Sequence, residues 1–147
     1  MKRRIQALER TLHREVPLTR QMGIRVEDHD GSELVVKADF APNVNIHGTA
    51  FGGSLFSICA ITGWGLLHLK FDEAGVAAQS VLGEAGIRYL RPVRGEIEAR
   101  CRLPEDFDHF MQRVLQGQRA AVRLEAVIRT GGRERVRFQG DYSVFYP

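Results

Sequence analysis

The residues best suited to chemistry lie in one stretch, Asn43 to Leu69, which reads NVNIHGTAFGGSLFSICAITGWGLLHL. It contains no Asp, Glu, Lys or Arg, and it opens with amides, a histidine and a glycine pair before it turns apolar. Backbone N–H groups at the N-terminus of a helix stabilise negative charge, with help from the helix dipole. Glycine lets a ligand approach the backbone closely. A helix that begins near Gly52 and Gly53 would therefore offer an anion-stabilising site.

Around this stretch, alternating patterns predict strands that need a partner for their apolar faces. Residues 2–15 are predicted as an amphipathic helix, with Ile5, Leu8 and Leu12 at helical spacing. Strands are predicted at about 23–28, 33–40, 77–90, 96–103, 119–130 and 133–146, and a short helix at about 104–116. The pair Gly131-Gly132 predicts a hairpin between the last two strands.

The apolar segment itself predicts a helix from about Gly53 to Phe71. The residues from Leu55 to Leu69 carry no formal charge, so a transmembrane span, which needs about 20 predominantly apolar residues, is the alternative. Lys70 and Asp72 follow directly, and the half-polar flanking strands need a core to cover. A helix that is apolar on nearly all sides belongs inside such a core. We therefore predict an α+β fold, with one antiparallel β-sheet wrapped around a long central α-helix.

Length and composition indicate one globular domain. The chain of 147 residues is long enough for a substantial core, and we divide it into an N-terminal helix, residues 1–15, and a single domain, residues 16–147. Cys59 and Cys101 lie in apolar contexts and predict buried free thiols, with one disulfide as the alternative. The N-terminal residues MKRRIQALERTLHREV are charged throughout and do not fit a secretory signal, so we expect a cytoplasmic protein.

The charge pattern favours a small anionic partner over a nucleic acid. The formal net charge is +3, and six arginines lie between Arg119 and Arg137. Solvated strand faces would explain them, yet guanidinium groups also bind phosphate in a bidentate manner. The sequence has no nucleic-acid-binding motif, no GxSxG elbow and no metal-ligand spacing. We expect no nucleic-acid partner, no membrane span, no metal and no other cofactor.

The order of elements, with a glycine-rich loop before the long helix, resembles the hotdog fold of acyl-CoA thioesterases. The PaaI-like branch of that superfamily has an Asn six residues before the His-Gly-Gly that opens its central helix. Here Asn45 stands six residues before Phe51, which Gly52 and Gly53 follow. The stretches NVNIHGTAFGGSLFSICAITGWGLL and IRYLRP are most similar to the thioesterase domain fused behind an acetyltransferase in YiiD-type bacterial proteins. This resemblance covers about Val16 to Tyr146.

The resemblance implies hydrolysis of an acyl thioester of CoA or of acyl carrier protein by water. Negative charge would develop on the carbonyl oxygen, and the N–H of Gly52, together with Gly53, is the expected oxyanion site. In the PaaI-like branch a catalytic Asp or Glu lies nine residues after the His of the glycine motif. That position is Ala60 here, and Phe51 replaces the His. The expected carboxylate is therefore absent.

Two residues are candidates for the missing base. Glu84 ranks first because it lies between glycine and alanine in a strand that should run beside the helix; a solvated Glu84, or an ion pair with Arg88, is the alternative. His47, in the loop before the helix, ranks second and could instead be structural. Asn45 could orient water or the carbonyl, or its side chain could simply hold the loop.

The remaining candidates concern binding and assembly. Arg91 and Arg94 bracket Pro92 at a strand end and could meet the phosphates of CoA. The expected substrate-binding set is completed by Phe51, Ser54, Ser57 and Arg88. Hotdog sites usually form between two subunits, so the resemblance implies a homodimer or a dimer of dimers. A non-catalytic acyl-CoA or acyl-carrier sensor, favoured by Ala60, and a hydratase or dehydratase on the same fold are the alternatives.

Overall fold

Four helices and six strands make up the chain, and the computed structural model describes all of residues 1–147. The elements in chain order are α1 (Lys2–Glu15), α2 (Pro17–Gln21), β1 (Arg25–His29), β2 (Glu33–Ala38), α3 (Gly52–Ala74), β3 (Gln79–Tyr89), β4 (Ile97–Arg102), α4 (Phe107–Leu115), β5 (Ala121–Thr130) and β6 (Arg133–Phe145). Every predicted element is present. The short helix α2 was not predicted, because Pro17 begins it instead of only ending α1.

The six strands form one antiparallel sheet in the order β1-β2-β4-β5-β6-β3. Strand β3 is therefore an edge strand, although it precedes β4 in the chain. On β5 and β6, buried residues alternate with exposed ones, as in Val122, Leu124 and Ala126. The buried residues face α3, and the charged ones lie on the outer face. This arrangement confirms the predicted α+β fold with a sheet around a central helix.

Helix α3 is the centre of this packing. It spans 23 residues, three more at its C-terminal end than predicted, because Gly75 ends it in a left-handed conformation with φ of 67°. By length and composition α3 could cross a membrane. Its side chains Ile58, Leu66 and Leu67 are instead fully buried, and the helix packs against β2 to β6. It is the core helix of the sheet.

The outer helices extend the same core. Leu8 and Leu12 of α1 belong to the single hydrophobic cluster that includes α3 and the sheet. Phe110 of α4 joins that cluster, as its helical spacing predicted. Cys59 and Cys101 are free and buried, and burial raises the pKa of the Cys101 thiol to about 12. Neither thiol is therefore available as a thiolate nucleophile near neutral pH.

We expect Gly63→Ala to destabilise the fold, because Gly63 of α3 lies directly against the Tyr142 ring of the sheet. A Cβ at this position would lie 2.8 Å from Cζ of Tyr142, a fully buried ring whose hydroxyl donates to the Ala60 carbonyl at 2.8 Å. Overpacking of this kind costs about 1–3 kcal/mol, which outweighs the roughly 1 kcal/mol that alanine gains over glycine in a helix. The free energy of unfolding in urea measures the difference.

The matched control is Gly86→Ala on β3, where the nearest atom to a new Cβ is Gln139 Nε2 at 3.9 Å. This variant should unfold at nearly the same urea concentration as the wild type. A Gly63→Ala variant as stable as the control would contradict close helix–sheet contact at Gly63.

Candidate active site at the N-terminus of the central helix

The first turn of α3 presents backbone donors that the chain leaves unused. The Phe51 N–H donates to the Asn43 carbonyl at 2.7 Å, and the Leu55 N–H donates to the Phe51 carbonyl at 3.1 Å. The N–H groups of Gly52, Gly53 and Ser54 between them have no acceptor, and no side chain caps the helix. Three donors thus converge at the positive end of the helix dipole, where they can stabilise an oxyanion.

The loop before α3 is organised by Asn45. Its Oδ1 accepts the backbone N–H groups of His47 at 2.8 Å and Thr49 at 3.1 Å. Its Nδ2 donates to Thr49 Oγ1 at 2.9 Å and to the Ala50 carbonyl at 3.4 Å. These contacts occupy both amide hydrogens and the side-chain carbonyl. Asn45 therefore holds the loop in this structure and has no amide hydrogen left for water.

His47 lies at the exposed tip of that loop. Its backbone is fixed through Asn45, and Gly48 completes the turn with φ of 75°. The imidazole itself makes no hydrogen bond within the chain, in contrast to buried His29, whose ring contacts Glu73 and the Glu33 carbonyl. Both ring nitrogens of His47 are consequently free to form a hydrogen bond with a ligand or with water.

Glu84 does not reach this end of the helix. A β-bulge between Leu82 and Glu84 reverses the alternation of β3, so that Leu82 pairs with buried Tyr142 but Glu84 pairs with Asp141. Partners that lie directly opposite in an antiparallel pair point to the same face, and Asp141 is on the outer face, where it binds Arg123. The Glu84 side chain therefore lies on the side of the sheet away from α3. Within one chain, Glu84, the first-ranked candidate for the base, is therefore not brought to the N–H groups of Gly52 and Gly53.

The same bulge turns a residue that sequence reasoning missed toward the helix. Tyr89, the last residue of β3, pairs with buried Val136, and its hydroxyl donates to the Gly52 carbonyl at 2.8 Å. A Cβ on Gly52 would lie 3.3 Å from the Tyr89 ring. The glycine at position 83, an interior strand position, was the available signal for a bulge.

The helix residues predicted to bind substrate divide into two kinds. Ser57 donates its hydroxyl to the Gly53 carbonyl at 2.8 Å and so is engaged within α3. Ser54 is half-buried and makes no side-chain hydrogen bond. Phe51 is exposed, and its ring lies over Gly53, where a Cβ would come within 2.5 Å of Cε2. Phe51 and Ser54 thus border the free N–H groups.

Arginines gather at the same end of the sheet. The Ala50 N–H donates to the Val93 carbonyl at 2.8 Å, which ties the segment containing Arg91 and Arg94 to the start of α3. Arg91 borders a surface cleft with Arg133, and Arg94 borders another with Arg135.

None of these four guanidinium groups forms an ion pair, whereas Arg129 and Arg137 nearby both bind Glu134. Arg88 is also unpaired but projects from the outer face, opposite Arg137.

No group of three or more His, Cys, Asp or Glu residues is arranged to hold a metal ion. The polar groups around the α3 N-terminus are backbone amides, a histidine, hydroxyls and arginines. Such a set can bind a phosphorylated ligand, stabilise an oxyanion and move one proton.

Comparison with known proteins identifies the family. The family model described as "putative thioesterase (yiiD_Cterm)" matches residues 5–146. The putative thioesterase from Shewanella oneidensis is 34% identical over 100% of both chains, with a TM-score of 0.92. A protein of unknown function from Chlorobaculum tepidum is 30% identical, with 97% of this chain and 94% of that chain covered and a TM-score of 0.89.

A more distant structure is similar in fold alone. The PaaI protein from the phenylacetic acid degradation operon of Escherichia coli is 16% identical, with a TM-score of 0.66 over 95% of this chain and 92% of that chain. The family match and the sheet wrapped around α3 agree with each other: this chain belongs to the YiiD C-terminal family of putative thioesterases and has the hotdog fold.

Proposed function

We propose that this protein is a cytoplasmic acyl-CoA thioesterase that directs water onto a thioester bound at the N-terminus of α3. The observation that carries the proposal is the set of unused N–H groups on Gly52, Gly53 and Ser54. A thioester carbonyl that accepts from them gains negative charge as water attacks, so the helix end stabilises the transition state more than the substrate.

His47 is the proposed base. Water adds to the carbonyl carbon while the imidazole takes its proton, and the oxyanion forms against the α3 N–H groups. The C–S bond then breaks, the imidazole returns the proton to the departing sulfur, and a carboxylic acid and free CoA leave. The absence of a hydrogen bond to the His47 ring supports this role, as does the loop geometry that Asn45 fixes. Asn45 is then a positioning residue.

Arginines without an acidic partner support CoA as the carrier of the acyl group. Arg91, Arg94, Arg133 and Arg135 lie at the α3 end of the sheet without acidic partners. The CoA nucleotide carries several phosphate charges, while the phosphopantetheine arm of an acyl carrier protein brings one phosphate. Several guanidinium groups that lack a carboxylate partner in one region therefore suit CoA better.

A homodimer formed through β3 is part of the proposal. β3 is an 11-residue edge strand, and Val81 and Leu90 are exposed along it and at its end. Ile46, in the loop beside the site, is 95% exposed. A long apolar edge is an aggregation hazard unless another chain covers it. A second copy, whose β3 pairs with the β3 of the first, would cover this edge and form one side of the site.

A non-catalytic acyl-CoA sensor is the second candidate. It is favoured by Ala60, whose side chain has no acid, and by the outward direction of Glu84. Neither of these positions supplies a carboxylate near the α3 N-terminus within one chain. Binding of acyl-CoA without release of free thiol would select this candidate.

For the reaction, we expect the wild type to release thiol from at least one of butyryl-, octanoyl-, palmitoyl- and benzoyl-CoA. His47→Ala should lower kcat on that substrate by roughly 10²–10⁴-fold, because general acid–base groups contribute about that much. The matched control is His109→Ala, which removes another exposed histidine, on α4. Equal kcat for all three proteins would exclude His47 as the base.

For the carrier, we expect Arg91→Ala combined with Arg94→Ala to raise the KM for acyl-CoA at least tenfold. Each hydrogen bond to a charged group contributes about 1.5–3 kcal/mol, and the KM for the corresponding acyl-pantetheine, which has no phosphates, should not change. Arg10→Ala with Arg20→Ala removes two exposed, unpaired arginines of α1 and α2 as the control. Equal losses for the CoA and pantetheine thioesters would assign Arg91 and Arg94 a structural role.

For the assembly, we expect light scattering to give a mass above the 16.6 kDa of one chain. Val81→Lys should shift the protein toward the monomer and lower its activity, since a lysine on an edge strand opposes pairing with another strand. Leu115→Lys replaces another exposed apolar residue, on α4, by lysine and should leave the mass unchanged. A wild type that is monomeric at micromolar concentration would remove the two-subunit site.

A further inference from the structure

Tyr89 and Gly52 join the end of β3 to the start of α3. The Tyr89 hydroxyl donates to the Gly52 carbonyl at 2.8 Å, and the ring lies against the glycine, with Cζ and Oη both 3.3 Å from the position of a Cβ. Any larger residue at position 52 would meet this ring. The contact therefore depends on both a glycine on the helix and a tyrosine on the strand.

This hydrogen bond acts on the peptide unit that contains one of the free donors. The Gly52 carbonyl and the Gly53 N–H belong to the same planar amide. A donor on the carbonyl oxygen draws electron density toward that oxygen and makes the N–H of the same amide a stronger donor, as in other chains of hydrogen bonds. It also fixes the orientation of the amide plane, since rotation would break the bond to Tyr89.

Gly53 has an aromatic neighbour on its Cα side and a free N–H. The Phe51 ring lies where a Cβ of Gly53 would be, with Cε2 2.5 Å from that position. The Phe51 N–H is already engaged with the Asn43 carbonyl. Tyr89 thus polarises the N–H of a residue that lies beside an aromatic ring, and this N–H has no acceptor of its own.

We infer that Tyr89 is a positioning residue of the thioesterase site, which through the Gly52 carbonyl aligns and strengthens the Gly53 N–H as the principal oxyanion donor. This inference rests on the proposed function, and it makes Gly53 the principal donor in place of Gly52, which the sequence had favoured. Burial raises the pKa of the Tyr89 hydroxyl above its usual value, so the hydroxyl stays protonated and keeps donating across the neutral range.

The test replaces Tyr89 by Phe, which removes the hydroxyl and keeps the ring beside Gly52. We expect kcat to fall about tenfold with KM nearly unchanged, less than the roughly 10²–10³-fold loss that follows removal of a whole oxyanion donor. The shape of the pH profile should stay the same, because Tyr89 transfers no proton. The amide resonances of Gly53 should shift in the NMR spectrum, since its peptide unit loses a hydrogen bond.

Tyr146→Phe is the matched control. The Tyr146 hydroxyl also donates to a backbone carbonyl, that of Gln118 at 2.7 Å, but it lies near the end of α4. This variant should keep the wild-type kcat and leave the Gly53 resonances in place, while thermal unfolding reports what each lost hydroxyl costs in stability.

The outcomes separate the inference from the proposed function. If the wild type hydrolyses acyl-CoA and Tyr89→Phe has the same kcat, or loses activity only with its thermal stability, the inference is overturned alone. A lost alkaline or acidic limb in the pH profile would also overturn it, because Tyr89 would then exchange a proton. A wild type that releases no thiol overturns the proposed function. In that case the NMR spectrum still tests the hydrogen bond from Tyr89 to the Gly52 carbonyl, and unchanged Gly53 resonances in Tyr89→Phe would contradict it.

Discussion

The burial of one mostly apolar helix, α3, determines where the other elements of this molecule lie. Residues 52–69 of α3 carry no formal charge, so exposing most of this helix surface to water would be unfavourable. The curved sheet covers it, and each large side chain that becomes fully buried contributes roughly 1.5–3 kcal/mol. Because packing against the sheet fixes the helix, it also fixes where the helix N-terminus lies. The location of the candidate site at that end therefore follows from the packing of the core.

Three hydrogen bonds join that helix end to the rest of the fold. The Phe51 N–H binds the Asn43 carbonyl, the Ala50 N–H binds the Val93 carbonyl, and the Tyr89 hydroxyl binds the Gly52 carbonyl. Together they hold the loop and the first turn of α3 against the end of β3. The next N–H groups remain unpaired, so a rigid scaffold presents preorganised donors, which is the arrangement that stabilises a developing oxyanion most effectively.

Sequence periodicity predicted the fold because core packing follows apolar patterns directly. Local apolar periodicity was enough to predict the α3 helix, the alternating strands and the face of α4 that carries Phe110. The face of the sheet on which the Glu84 side chain lies could not be predicted from periodicity. A bulge at Gly83 adds one residue to the alternation of β3, and one residue is enough to move a side chain to the other face.

The chemistry of single side chains was predicted less completely than the fold, for a related reason. Asn45 was recognised by its spacing from the glycine pair, but only the folded loop reveals that its amide groups are already engaged. Tyr89 is separated from Gly52 by the whole of α3, and its contact depends on the register of β3 with β6. Position 60 could be read directly, because an alanine cannot supply a carboxylate in any fold.

The central claim is that the thioester carbonyl binds at the N-terminus of α3. A crystal structure with a non-hydrolysable acyl-CoA analogue, in which a methylene group replaces the sulfur, tests it most directly. The account predicts the analogue's carbonyl oxygen about 3 Å from the backbone nitrogen of Gly53 or Gly52, with the nucleotide phosphates near Arg91 and Arg94. An analogue whose carbonyl binds elsewhere on the protein, with the first turn of α3 still solvated, would contradict the account.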